Sequence, residues 1–221
     1  MGPERKQVEA SGEHRRIRRW VTVAEDQIYE RYQAKAIQEI NELGHDVAEW
    51  LRDRHPGAAP VLGTGHPLAD IVLVKHRPAP SESQEGVAFF GRAGQAILKS
   101  LTRLRIEPLV LYGTVCLKAA VEPDETDLGR CQEWLTREIH ITQPRIVVTM
   151  GDATRTFLDS IAFPLSVPLQ AQPGTVERWT PTIEVLHTPD VDESLDDAGA
   201  KQEFWSAFRA LGEWYENLPP Y

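Results

Sequence analysis

The sequence predicts an α/β domain of three layers, α/β/α, around a four-stranded, mostly parallel sheet, with a helical extension in front of it. Short apolar runs of strand composition alternate with longer segments of helical spacing, the pattern of parallel strands joined by right-handed crossovers. The 221 residues suffice for one full domain with a sizeable core and would leave two domains cramped. The first strong apolar run is followed by a Pro-rich, charged loop and a Gly-framed helix start, which is how open α/β sheets build a site at the carboxyl edge of their strands.

Taken in order, residues 1–22 form a basic segment, with Arg5, Lys6, Arg15, Arg16, Arg18 and Arg19 against Glu4, Glu9 and Glu13, and read as a flexible, solvated arm rather than one that binds nucleic acid. Residues 23–60 are a helical extension and linker. Ile28, Tyr32, Ala36, Ile37, Ile40, Val47 and Trp50 recur at helical steps, Gly44 is expected to divide or kink the helix, and 55–67 is a Pro/Gly connector. The domain proper spans 61–217. Its strands are expected at 69–74, 109–115, 145–150 and 183–186, and its helices at 95–105, 124–141, 152–161 and 200–216. Residues 162–182 are Pro-rich and read as a loop with a short hairpin.

Composition narrows the function classes. Apolar residues at 41% and charged residues at 26% are ordinary for a soluble protein, no apolar run approaches bilayer length, and no membrane partner is expected. The charged N-terminus lacks the apolar core of a secretory signal, and two cysteines, Cys116 and Cys131, make no disulfide framework, so a reducing, cytoplasmic setting is expected. A net charge of −9 argues against an overall basic surface for phosphates, although charge can be segregated.

The strand order predicts that 75–80, 112–116, Gly151 and 187–190 converge on one crevice. His76 and His187 follow different strands into it and suit proton transfer near neutral pH; without further context, ordinary loop-end histidines are the simpler reading. Phe89 and Phe90 offer a stacking platform or a piece of core, and Lys75 and Arg77 either attract an anion or are merely solvated.

Gly63, Gly65, Pro67, Ala69 and Asp70, then Pro78, Glu82, Gly86, Phe89, Gly91, Ala93 and Gly94, resemble the uracil-DNA glycosylase superfamily, most closely its iron–sulfur-containing branch. Pro123, Leu128 and Cys131, the run QPRIVVTMG, the run IEVLHTP with its likeness to a strand and His-Pro motif, and the helix start KQEFW extend the likeness over roughly residues 60–215. That resemblance implies a base flipped out of DNA and hydrolysis of its N-glycosidic bond. It gives Phe89 the stacking role, His187 the donor to the departing base, and Lys75, Arg77 and Pro78 places around the ligand. The catalytic acid of the family falls on His76, which stabilises a cationic sugar less well than a carboxylate, so weak, altered or lost hydrolysis is expected. The Asn that reads the uracil edge maps to Tyr112, Gly113 or Thr114. With two cysteines where a four-iron cluster needs four, no cluster, other cofactor or metal is expected. The expected partner is single-stranded or mismatched DNA, or a nucleobase; ordinary duplex is disfavoured by Asp190, Asp192, Glu193, Asp196 and Asp197 where the family wedges into DNA. The competing expectation is a non-catalytic interaction module that uses this acidic loop to bind a basic protein or to mimic DNA.

Overall fold

The computed structural model describes the backbone of residues 4–170 and 172–218, and side chains from residue 27 onward. The chain runs through α1 (Glu4–Arg54), β1 (Thr64–Gly65), β2 (Ile71–Lys75), α2 (Pro80–Glu85), α3 (Arg92–Leu104), β3 (Leu111–Val115), α4 (Glu125–Thr142), β4 (Ile146–Met150), α5 (Asp152–Asp159), β5 (Val176–Arg178), β6 (Glu184–Thr188) and α6 (Ala198–Glu216). The four expected strands form the parallel centre of the sheet, in the order β3-β2-β4-β6. The sheet is nevertheless six-stranded, because the short β1 and β5 add antiparallel edges, β5 as the hairpin partner of β6. Strands of two and three residues carry too little periodicity to be read from sequence.

Period-two alternation sends the strand side chains to two separate cores. Val72, Val74, Tyr112, Val147 and Val185 face α1, α4 and α5, whereas Ile71, Leu73, Leu111, Val148 and Leu186 face α3 and α6. Val72, Val74, Val147 and Val185 are each fully buried, a burial that stabilises by roughly 1.5–3 kcal/mol per side chain. The same alternation decides which side chains at the strand ends can meet.

Two expectations about helices are corrected. Gly44 does not divide α1, which continues from Glu4 to Arg54; a Cβ there would lie 3.0 Å from Leu62 Cδ1, so the glycine lets the chain entering the sheet lie against the helix. The first 22 residues belong mostly to the part of α1 whose side chains lie outside the described residues. The loop after β2 contains α2, a single polar turn and a half started by Pro80, too short to show a helical apolar stripe.

A charged network is buried on the α4 face. Lys118 Nζ donates to Glu138 Oε2 at 2.6 Å, to Thr114 Oγ1 and to the Val115 carbonyl, while the Tyr112 and Thr114 hydroxyls donate to Glu138. Lys118 and Glu138 are each 1% exposed, so every charge depends on its partner. Lys118→Met should cost about 3–5 kcal/mol in urea unfolding, and Lys118→Met with Glu138→Leu should recover most of it; a single substitution without measurable cost would contradict this.

Candidate active site

β2 ends on Lys75, whose side chain leaves the sheet on the α3/α6 face. It is 1% exposed, and its Nζ lies 2.6 Å from both Glu82 Oε2 and Asp192 Oδ2. The same ammonium sits 5.8 Å from the centroid of the Phe89 ring. Glu82, fully buried in the first turn of α2, also accepts the backbone N–H of Ala79 at 2.6 Å and that of Phe89. One carboxylate therefore starts α2, holds the Phe89 backbone at a φ of 60°, and neutralises Lys75. The reading of Lys75 and Arg77 as an anion-attracting pair is corrected: Lys75 is matched by two carboxylates, and Arg77 donates to both oxygens of Glu122 at 2.9 and 3.1 Å.

A cleft of about 540 Å³ opens at the carboxyl edge, lined by His76, Pro78, Phe90, Asp190, Asp192 and Asp196 among others. His76 is half-buried with its ring edge-on to Phe157 at 6.1 Å. Burial, and then the Arg77 charge, lower its pKa below the ordinary imidazole value, against an opposing pull from Asp190. Asp190 folds back so that Oδ1 accepts the Asp192 N–H at 2.7 Å. Its carboxyl pKa is raised, chiefly by burial and further by Asp192, while donated N–H groups and Lys75 oppose the rise. The cleft is thus lined by both an imidazole and a carboxylate.

Arg77 also lines that cleft, whereas Phe89, His187, Tyr112, Gly113 and Thr114 do not. His187 is 2% exposed and projects to the opposite face from Lys75, toward α5, where Nδ1 lies 3.2 Å from Thr149 Oγ1 and Nε2 lies 3.2 Å from Asp152 Oδ1. Burial lowers its pKa and Arg155 adds to the effect, against Asp152. Thr188 separates His187 from Pro189, and strand alternation turns this threonine, fully buried, back to the Lys75 face. Phe89 and His187 do not line the cleft. Of the three positions facing the base-reading role, Tyr112 and Thr114 are committed to Glu138 on the α4 face, and only Gly113 turns toward Phe89. A Cβ at Gly113 would fall 2.6 Å from Phe89 Cδ2, so the ring fills the space that a side chain there would need.

The acidic loop is bonded to the rest of the chain, with Asp196 and Asp197 still exposed. Asp192 pairs with Lys75, Asp196 with Arg92, Asp197 caps α6 by accepting the Ala200 N–H, and Asp190 accepts backbone N–H groups, while Glu193 stays exposed. Cys116 and Cys131 are both buried, and desolvation pushes both thiols up in pKa, Cys116 well beyond the ordinary range. Two protonated, buried thiols do not form the four-thiolate set of an iron–sulfur cluster, and no cluster of metal-ligating side chains occurs among the described residues. No helix among the described residues is long and apolar enough to cross a membrane.

Sequence reasoning missed Asp192 as the partner of Lys75, since 117 residues separate them and no local pattern links them. It also passed over Glu82 as an organiser, although its place three residues after Ala79 is the spacing of a capping carboxylate.

Comparison with known proteins agrees with this architecture. The family model described as Uracil DNA glycosylase superfamily matches residues 62–209. The chain is 30% identical over 105 residues to the type-4 uracil-DNA glycosylase of Sulfurisphaera tokodaii, covering 45% of this chain and 48% of that protein. It is 33% identical over 107 residues to the type-4 uracil-DNA glycosylase of Saccharolobus solfataricus, covering 44% and 48%. The enzyme of the same name from Pyrobaculum aerophilum is 27% identical over 95 residues, covering 41% and 48%. The matches span about half the length of these curated relatives. With the family model covering well over half of the chain, this protein belongs to the uracil-DNA glycosylase superfamily.

Proposed function

We propose that the chain is a DNA-binding member of the superfamily in which hydrolysis of the N-glycosidic bond at a flipped base is weak or lost. The observation that carries this reading is the Lys75 ammonium over the Phe89 ring, 5.8 Å from its centroid. That is the ring face on which a base would stack, and a base that took it would have to separate Lys75 from two carboxylates at 2.6 Å. Two further features support weak chemistry. His76 stands where the family carries its acid, and with a lowered pKa its imidazole is neutral at pH 7, so it gives little stabilisation to a cationic sugar. Gly113 has no side chain with which to read a base edge.

The alternative of an interaction module built on the acidic loop finds less support at Asp190 and Asp192, which are committed to the loop backbone and to Lys75, while Asp196 and Asp197 keep exposed carboxylates beside their partners. A second catalytic reading, altered rather than lost hydrolysis, is favoured by one observation: Asp190 lines the same cleft as His76 and offers a carboxylate to a sugar or a water there. Its Oδ1 is occupied by the loop backbone, which Asp190→Asn would preserve.

On oligonucleotides that contain uracil, hypoxanthine or xanthine, single-stranded and duplex, the unaltered chain should bind single strands at low salt and release little or no base. Lys75→Gly with His76→Glu should raise release, whereas efficient uracil release by the unaltered chain, unchanged by these substitutions, would contradict the proposal. If the unaltered chain does release a base, the second reading expects Asp190→Asn to abolish it.

The histidines give a separate check. A ring whose folded pKa lies below its unfolded value binds fewer protons when folded, so the stability it contributes is present above about pH 6.5 and is lost as pH falls toward the folded pKa. The His76 ring should titrate by NMR below about 6.5, and His76→Gln should flatten the acid-side loss of stability; a titration midpoint above 6.5 would contradict the burial argument.

A further inference from the structure

We propose that the groove between α3 and α6 binds the sugar–phosphate backbone of single-stranded DNA and feeds the cleft at the sheet edge. The inference rests on the DNA-binding reading above and gives it a surface.

The groove encloses about 550 Å³. Arg92, Lys99 and Arg103 reach it from α3, and Lys201 from the first turns of α6. The spacing of seven and then four residues sets the three α3 cations on one face of the helix. No acidic residue lines the groove. Only Arg92 is paired, with exposed Asp196; Lys99, Arg103 and Lys201 have no ion pair among the described residues. In a chain of net charge −9, four cations gathered on one concave surface make a local positive field that attracts a polyanion.

The chemistry points to a strand rather than a small anion. From Arg92 to Arg103 the helix rises about 16 Å, more than one phosphate can span. Trp205 lines the groove with the Arg103 guanidinium 5.6 Å from its ring centroid, and Phe204 lies in the floor. A basic groove with an aromatic wall suits unpaired bases, which can stack, whereas the bases of a duplex stay inside its helix. The groove also leads somewhere: Arg92 and Leu195 line both it and the cleft that holds His76 and Asp190.

The test is fluorescence anisotropy of a labelled thymidine oligonucleotide, single-stranded or annealed to its complement, titrated with the full chain over a salt series. The triple variant Lys99→Ala, Arg103→Ala, Lys201→Ala changes exposed side chains, and its thermal unfolding is measured alongside. The unaltered chain should bind the single strand more tightly than the duplex, and the triple variant should lower the slope of log affinity against log salt by about 2 and weaken low-salt binding about tenfold or more. Binding by the unaltered chain that the triple variant leaves unchanged in affinity and slope would overturn the groove while leaving the DNA-binding reading in place. Preference for the duplex would overturn the single-strand assignment. Absence of binding at low salt would overturn both.

Discussion

A lysine ammonium buried at the carboxyl end of a central strand has to be paired, and the site of this protein is built around how Lys75 meets that requirement. Glu82 and Asp192 reach it from opposite directions in the sequence, one from the helix that follows β2 and the other from the loop that follows β6. Glu82 in turn fixes the Phe89 backbone. The consequence is a closed arrangement in which the aromatic ring, the cation over it and the acidic loop hold one another in place. Loss of Lys75 would leave Glu82 buried without its counter-charge, whereas loss of either carboxylate still leaves the ammonium one partner, so the lysine is the member on which the arrangement depends.

The two faces of the sheet divide the work. On the α4 face, Glu138 and Lys118 bind the hydroxyls of Tyr112 and Thr114 into a buried network that rigidifies the end of β3. That commitment leaves Gly113 alone on the Phe89 side, where the ring occupies the space above it. His187 belongs to the α5 side with Thr149 and Asp152, separate from the Phe89 ring. Phe89 and His187 thus lie on opposite faces of the sheet. The accessible cleft lies instead around His76 and Asp190, and the free positive charge lies in the α3/α6 groove beside it.

Much of this fold was legible in the sequence, for a physical reason: the four central strands are short, continuously apolar runs, and the helices between them carry clear stripes. The site was legible as a place and less so as a constellation. Phe89 and the frame of Pro78, Gly86 and Gly91 could be seen locally, because turn chemistry and spacing are local properties. The partnership of Lys75 with Asp192 was not, since it is made by the fold across 117 residues, and without it Lys75 reads as an anion site. Tyr112, Gly113 and Thr114 could not be told apart from sequence with an uncertain one-residue gap; in the fold, period-two alternation turns Gly113 to the Phe89 face and Tyr112 and Thr114 to the α4 face. Gly44 misled for the opposite reason. Its role is a close approach by Leu62, and a helix-breaking tendency worth about 1 kcal/mol is outweighed by packing on both sides of it.

The proposed closure of the Phe89 ring to a base rests on the Lys75 ammonium 5.8 Å from its centroid. It is tested most directly by titrating free uracil into isotopically labelled protein and following the backbone amide of Phe89 and the Lys75 side chain by NMR, in the unaltered chain and in Lys75→Gly, with unfolding curves to establish that both are folded. The account predicts no saturable shift at these groups in the unaltered chain and a saturable one at Phe89 once the ammonium is removed. Saturable binding at Phe89 in the unaltered chain, with the Lys75 resonance unmoved, would contradict it.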